Sequence, residues 1–225
     1  MRPRVDGDAV PAGSAPPWGF RRRLARALGR DEAPGDVLWR RIVHGAGAFV
    51  LVYYLVPGDL FVVVSKEVVL LLALAAAFVL ELCRLGLGLP LPTIRGYERD
   101  RPASFVFYAV ALVVALLVFP EPIAVVVVLG TAVVDPLAGE LRTGSRPRLA
   151  PWVPFTVYAG MAAGILATFG RWPWVWAAVL GVLAGAAAVG VERWRFRWLD
   201  DDLTMTVVPA VLLYGAGVLG LGLAR

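Results

Sequence analysis

A chain of 225 residues with 59% hydrophobic and only 17% charged residues, and a mean hydropathy of +0.73, is not composed like a water-soluble domain, which carries about 45–50% apolar and about 25% charged residues. The surplus apolar surface calls for lipid, and the formal net charge of +5 then reads as a topology signal rather than as a nucleic-acid footprint. One cysteine, Cys83, excludes an intramolecular disulfide and a cysteine-based zinc site, and one histidine, His44, excludes paired-histidine metal ligation.

Residues 1–36 are rich in Pro, Gly, Ala, Asp and Arg and lack the apolar core of a signal peptide. Within them Trp18, Phe20, Leu24, Ala27 and Leu28 recur at near-helical spacing, with Arg21, Arg22, Arg23, Arg26 and Arg30 mostly on the other sides. That pattern fits an interfacial helix on anionic lipid; a disordered basic tail is the other reading.

Residues 37–225 read as a polytopic transmembrane domain. Seven apolar runs, 39–56, 68–82 (with a start as early as Leu60), 103–119, 123–139, 152–169, 173–191 and 203–223, each approach the ~17–25 residues that a spanning helix needs. Together they take up roughly 130 residues at that length, so no soluble catalytic domain of ordinary size fits in the remainder, and any chemistry must use helix ends and short loops. With the N-terminus cytoplasmic, 19 of the 22 basic residues fall in the tail and in alternate connections on that side, leaving Lys66, Arg171 and Arg225 opposite. The expected protein is therefore an all-α integral membrane protein of seven helices, N-terminus inside, in the cell membrane, with the lipid bilayer and no nucleic acid as partner.

Ionisable residues at the cytoplasmic edge carry the functional signal. Asp135, in the run Gly130 to Glu140, lies about 6–8 Å inside its helix exit at 1.5 Å per residue, where an unpartnered carboxylate costs on the order of 2.5–3.5 kcal/mol. It needs an arginine partner or a polar cavity. Pro136 predicts a break in that helix, and Thr131 sits one turn deeper on the same face. His44, with Arg40 and Arg41 before it, opens the first helix as either a packing residue or a functional one. Glu98, Arg99, Asp100 and Arg101 precede the third helix, as a solvated face or as part of a site. Asp200, Asp201 and Asp202, followed by Thr204, open the last helix with more acid than a cap requires. Carboxylates, arginines and a lipid floor suit phosphoryl transfer to a membrane alcohol, a reaction driven mainly by positioning and electrostatics. There is no Gly-x-x-x-x-Gly-Lys-Ser/Thr loop and no protein-kinase signature.

The order of these pieces resembles the membrane kinases of isoprenoid alcohols, the dolichol, polyprenol and phytol kinase family, which is distantly similar to phosphatidate cytidylyltransferases. The matching residues are Arg40-Arg41-Ile42-Val43-His44-Gly45-Ala46-Gly47, Glu98-Arg99 with Tyr108, Phe119-Pro120-Glu121-Pro122-Ile123-Ala124, Asp135-Pro136-Leu137-Ala138-Gly139-Glu140-Leu141-Arg142, and Asp201-Asp202-Leu203-Thr204. The resemblance implies CTP as phosphate donor, Mg²⁺ as cofactor and a long-chain isoprenoid alcohol as acceptor. It further implies Asp135 and His44 as catalytic residues, and Asp135, Glu140 and Asp202 as metal ligands. Arg142, Arg146, Arg148, Glu98 and Arg99 become nucleotide- or substrate-binding residues.

One departure stands out. Where the family carries a Lys-x-Leu-Glu-Gly-Ser-like element, this chain reads Leu149-Ala150-Pro151-Trp152-Val153-Pro154. The second reading is accordingly a non-catalytic relative that binds lipid or a partner, with Gly181-x-x-x-Gly185 as a close-packing face and a homo-oligomer open to it. Cysteines placed singly at residues 145 and 225 test the topology: residue 145 is expected to label from the cytoplasm and residue 225 from outside, whereas labelling of both from one side means that a helix has been miscounted.

Overall fold

The computed structural model describes residues 42–57, 64–88, 101–143, 147–193 and 200–220, all within one compact unit, Arg40–Arg225. The basic segment 1–36, Glu98, Arg99 and Arg146 lie outside the described residues. Among the described residues there are seven helices and no strand. They are α1 (Ile42–Tyr54), α2 (Lys66–Leu87), α3 (Ser104–Val118), α4 (Glu121–Thr143), α5 (Trp152–Thr168), α6 (Trp174–Arg193) and α7 (Asp201–Val218). Four stretches, Lys66–Leu87, Glu121–Arg142, Trp174–Val191 and Asp201–Val218, are long and apolar enough to cross a membrane. The other three helices are apolar but shorter; the 15 residues of α3 reach roughly 22 Å at the α-helical rise, against a hydrocarbon core of about 30 Å.

Local chemistry sets the helix boundaries. The α2 helix starts at Lys66 because the Ser65 side chain accepts a hydrogen bond from Val68 N, and stops at Gly88, which takes a left-handed φ of 66°. Phe119, held extended ahead of Pro120, separates α3 from α4, and the Pro120 carbonyl accepts from Ile123 N and Ala124 N at 2.9 and 3.0 Å. In α1 the chain tightens to a 3₁₀ helix from Ala48 to Tyr54, which rises more per residue than an α-helix. The expected break at Pro136 does not occur, and α4 continues to Thr143 with the proline inside it. The lost backbone bond costs about 3 kcal/mol, but Val134 and Ala138 on either side are fully buried, and their packing holds the helix straight through.

The α4 helix is the axis of the bundle, with contacts to α1, α3, α5 and α7, whereas α2 lies at the edge and packs on α3. Of the spanning window of α4, 61% is buried, against 11% for α2, so Leu71, Leu72, Phe78, Val79 and Leu82 of α2 form an exposed apolar surface of the kind that lipid covers. The core joins Val126, Val127 and Val134 of α4 to Tyr158 and Leu166 of α5, Leu180 of α6, and Met205 and Leu213 of α7. In an apolar solvent, helices associate through close backbone approach rather than through the hydrophobic effect.

Gly181 and Gly185 of α6 provide that approach inside the chain, against Phe155, Ala159 and Ala163 of α5. The small-residue face expected to receive a partner is thus filled by α5. A methyl group on Gly181 would sit 2.6 Å from the Ala159 carbonyl oxygen, so Gly181→Ala should destabilise the fold by about 1–3 kcal/mol, the usual range for overpacking. Gly190→Ala, whose Cβ meets nothing within 4 Å, should hold or gain stability. Thermal melting in detergent checks the pair, and equal melting of both variants would contradict this packing.

Candidate functional site

The three acids that open α7 divide their work. Asp200 is the N-cap, extended at φ −74°, ψ 150°, and its carboxylate accepts from Asp202 N at 3.1 Å. Thr204 completes the turn by donating its hydroxyl proton toward the Asp200 and Asp201 carbonyls. The helical rotation leaves Asp201 partly exposed and carries Asp202 inward to 1% exposure. There it faces Asp135 of α4 and His44 of α1, each 4% exposed.

The His44 imidazole approaches both carboxylates. Nδ1 lies 3.5 Å from Asp135 Oδ2, and Nε2 lies 3.5 Å from Asp202 Oδ1. Both separations exceed the 2.7–3.2 Å of a nitrogen–oxygen hydrogen bond, and His44 Nδ1 and Asp202 Oδ1 are buried without a hydrogen-bond partner. The ring is nonetheless fixed. Tyr108 of α3 stacks on it at 4.8 Å between centroids with planes 7° apart, and donates its hydroxyl proton to the His44 carbonyl at 3.1 Å. Gly47, three residues after His44, makes room for this: a Cβ there would overlap the Tyr108 hydroxyl. The His-x-x-Gly spacing therefore has a steric cause.

One turn deeper, Thr131 and Thr206 share a hydrogen bond of 2.8 Å between their hydroxyls, and each also reaches a carbonyl of its own helix, Val127 at 3.0 Å and Asp202 at 2.9 Å. This pair ties α4 to α7 directly beneath the two carboxylates. His44, Asp135 and Asp202 each offer a ligand atom, and those atoms lie within 4.8 Å of one another, close enough for a small inward adjustment to bring them onto one cation.

The remaining predicted residues are placed differently. Glu140, five positions past Asp135 on α4, is exposed and does not join the His44–Asp135–Asp202 group. Arg142 is exposed, with Nε on the Ala138 carbonyl at 3.3 Å, where a cation complements the end of α4. Arg148 is exposed in the short 3₁₀ turn Pro147–Leu149. Glu98, Arg99 and Arg146 lie outside the described residues. Comparison with protein-family models, with curated proteins and with solved structures finds no match.

Sequence reasoning missed a second ionic group, Glu81 and Arg84 of α2, both 4% exposed. Arg84 donates from Nε and Nη2 to the two Glu81 oxygens at 2.8 and 2.7 Å, and Nη2 also reaches the Arg101 carbonyl at 2.7 Å. Glu81 Oε1 accepts from Ala103 N at 2.8 Å, so a side chain of α2 caps the start of α3, whose own N-cap residue, Ala103, has no polar side-chain atom. A glutamate three residues before an arginine at the end of an apolar run was the available signal. Glu81→Ala strands a buried guanidinium and should cost about 3–5 kcal/mol, whereas Glu81→Leu combined with Arg84→Met should recover much of that loss. Melting temperatures of the single and double variants check this, and a double variant no better than the single one would contradict it.

Proposed function

We propose that this chain is an integral membrane phosphotransferase of the isoprenoid-alcohol kinase type. It spans the cell membrane with seven helices, N-terminus inside, and moves a phosphate from a nucleotide, CTP by resemblance, to a dolichol- or polyprenol-like alcohol at the cytoplasmic face. The observation that carries this reading is the meeting of His44, Asp135 and Asp202, three residues of separate sequence elements, in one buried cluster. The arginine bias supports the orientation, because the starts of α1 and α7 and the end of α4 adjoin the basic connections.

The donor set fits a divalent metal: two carboxylates and an imidazole, of which His44 Nδ1 and Asp202 Oδ1 are buried without a hydrogen-bond partner among the described residues. Asp135 and Asp202 are the carboxylates that would hold Mg²⁺, which neutralises the charge on the phosphates when bound. Asp135 also has the role of accepting the proton of the attacking hydroxyl. Tyr108 holds His44 in place, and the arginines after α4, Arg142, Arg146 and Arg148, are suited to the polyphosphate. Apolar helix faces around the pocket give the alcohol's chain a floor and keep bulk water away from the hydroxyl. The absent lysine and glutamate ahead of α5 favour the second reading, a relative that binds lipid without turnover.

Purified protein supplied with a panel of isoprenoid alcohols and CTP or ATP separates the two. Transfer to at least one alcohol is expected, and Asp135→Asn should lower it by a factor on the order of 10²–10⁴. Melting temperature should hold or rise in the same variant, because removing one of two adjacent buried carboxylates relieves their repulsion. An inactive parent, or an active Asp135→Asn with lowered stability, would overturn the kinase reading.

A further inference from the structure

Among the described residues two buried ionic groups stand out, and they differ in one respect. Glu81 and Arg84 have close hydrogen bonds on both carboxylate oxygens and on the guanidinium, at 2.7–2.8 Å. His44, Asp135 and Asp202 are as deeply buried, yet the imidazole approaches each carboxylate only to 3.5 Å, and among the described residues His44 Nδ1 and Asp202 Oδ1 have no hydrogen-bond partner. Among the described residues, the nearby hydroxyls and capping groups do not relieve these two atoms. The Thr131 and Thr206 hydroxyls bond each other and backbone carbonyls, Asp200 caps α7, and the Tyr108 hydroxyl goes to the His44 carbonyl. A buried carboxylate left without a donor is costly, and a bound cation is the general remedy.

The geometry points to His44 as a third ligand beside Asp135 and Asp202, which makes the pocket a site for a divalent first-row transition ion, such as Mn²⁺ or Zn²⁺, in preference to Mg²⁺. Metal–ligand distances of about 2.0–2.2 Å imply ligand atoms roughly 3–4.4 Å apart, and these lie within 4.8 Å of one another. The two aspartates alone would suit Mg²⁺, a hard ion that takes oxygen ligands; an imidazole in the set shifts the preference toward ions that accept nitrogen. Tyr108 acts as the positioning residue for that ligand, since its ring lies flat on the imidazole and its hydroxyl holds the backbone of the same residue. Occupancy of the pocket does not depend on the phosphotransfer reading, because it requires neither nucleotide nor alcohol.

Titration of the full chain in detergent with Mn²⁺, followed by electron paramagnetic resonance, tests this directly. One Mn²⁺ per chain should bind, with nitrogen-14 modulation of its echo signal from a ligating imidazole, and about a tenfold excess of Mg²⁺ should leave most of it in place. His44→Gln should lose the nitrogen modulation and weaken Mn²⁺ binding by about tenfold or more, and Asp202→Asn should do so as well or abolish binding. Should His44→Gln fail to fold, the modulation in the parent protein still decides. Absence of saturable Mn²⁺ binding, binding without nitrogen modulation, or displacement by an equal concentration of Mg²⁺ would each overturn the assignment. A protein that binds Mn²⁺ in this way but phosphorylates no alcohol would keep the site and lose the kinase.

Discussion

Ionisable side chains enclosed among apolar helices have to find compensation locally, since neither water nor lipid supplies it. At the meeting of α1, α4 and α7 that constraint falls on His44, Asp135 and Asp202, and much of the surrounding structure serves it. Tyr108 fixes the imidazole from α3, Gly47 leaves space for Tyr108, and Asp200 takes up the capping role so that Asp202 is free to turn inward. The Thr131–Thr206 hydrogen bond holds α4 and α7 together one turn below. Glu81 and Arg84 belong to the same chain of dependence, because they seat the start of α3, the helix that carries Tyr108.

The contrast between the two ionic groups separates structure from function in physical terms. A closed group such as Glu81–Arg84 can stabilise a helix junction but offers nothing to a ligand, since its hydrogen-bonding capacity is already used. Buried polar atoms left without a partner, as His44 Nδ1 and Asp202 Oδ1 are among the described residues, carry a desolvation cost that packing elsewhere has to offset. The close approach of α5 and α6 through Gly181 and Gly185, and the buried valines of α4, are where that packing lies. Stability therefore rests on the apolar middle of the bundle, and the proposed site on one polar end.

Much of the architecture was legible in hydropathy alone, because a lipid-facing helix must be apolar over a length that the bilayer dictates. Each of the seven runs holds a described helix, with ends displaced by a few residues where Ser65, Gly88 or Gly220 sets the boundary, and four of these helices are long and apolar enough to cross a membrane. Pro136 misled, since a local rule about proline lost to the burial of Val134 and Ala138. His44, Asp135 and Asp202 stood out singly as polar residues at depth, but their contact depends on which faces of α1, α4 and α7 meet, and periodicity does not record that. Asp135 was expected to need an arginine partner or a polar cavity, and the structure sets His44 against it at 3.5 Å. Glu81 escaped notice because it lies at the edge of an apolar run, where a charged residue reads as the end of the helix.

The account stands or falls on whether those three side chains share one pocket. Anomalous diffraction at the manganese edge, from crystals of the full chain grown in a lipid mesophase with Mn²⁺, observes this without any assumption about activity. A single peak bounded by the His44 imidazole and the Asp135 and Asp202 carboxylates is the predicted result. Asp135 turned toward lipid, with the three side chains on separate faces and no peak between them, would contradict it.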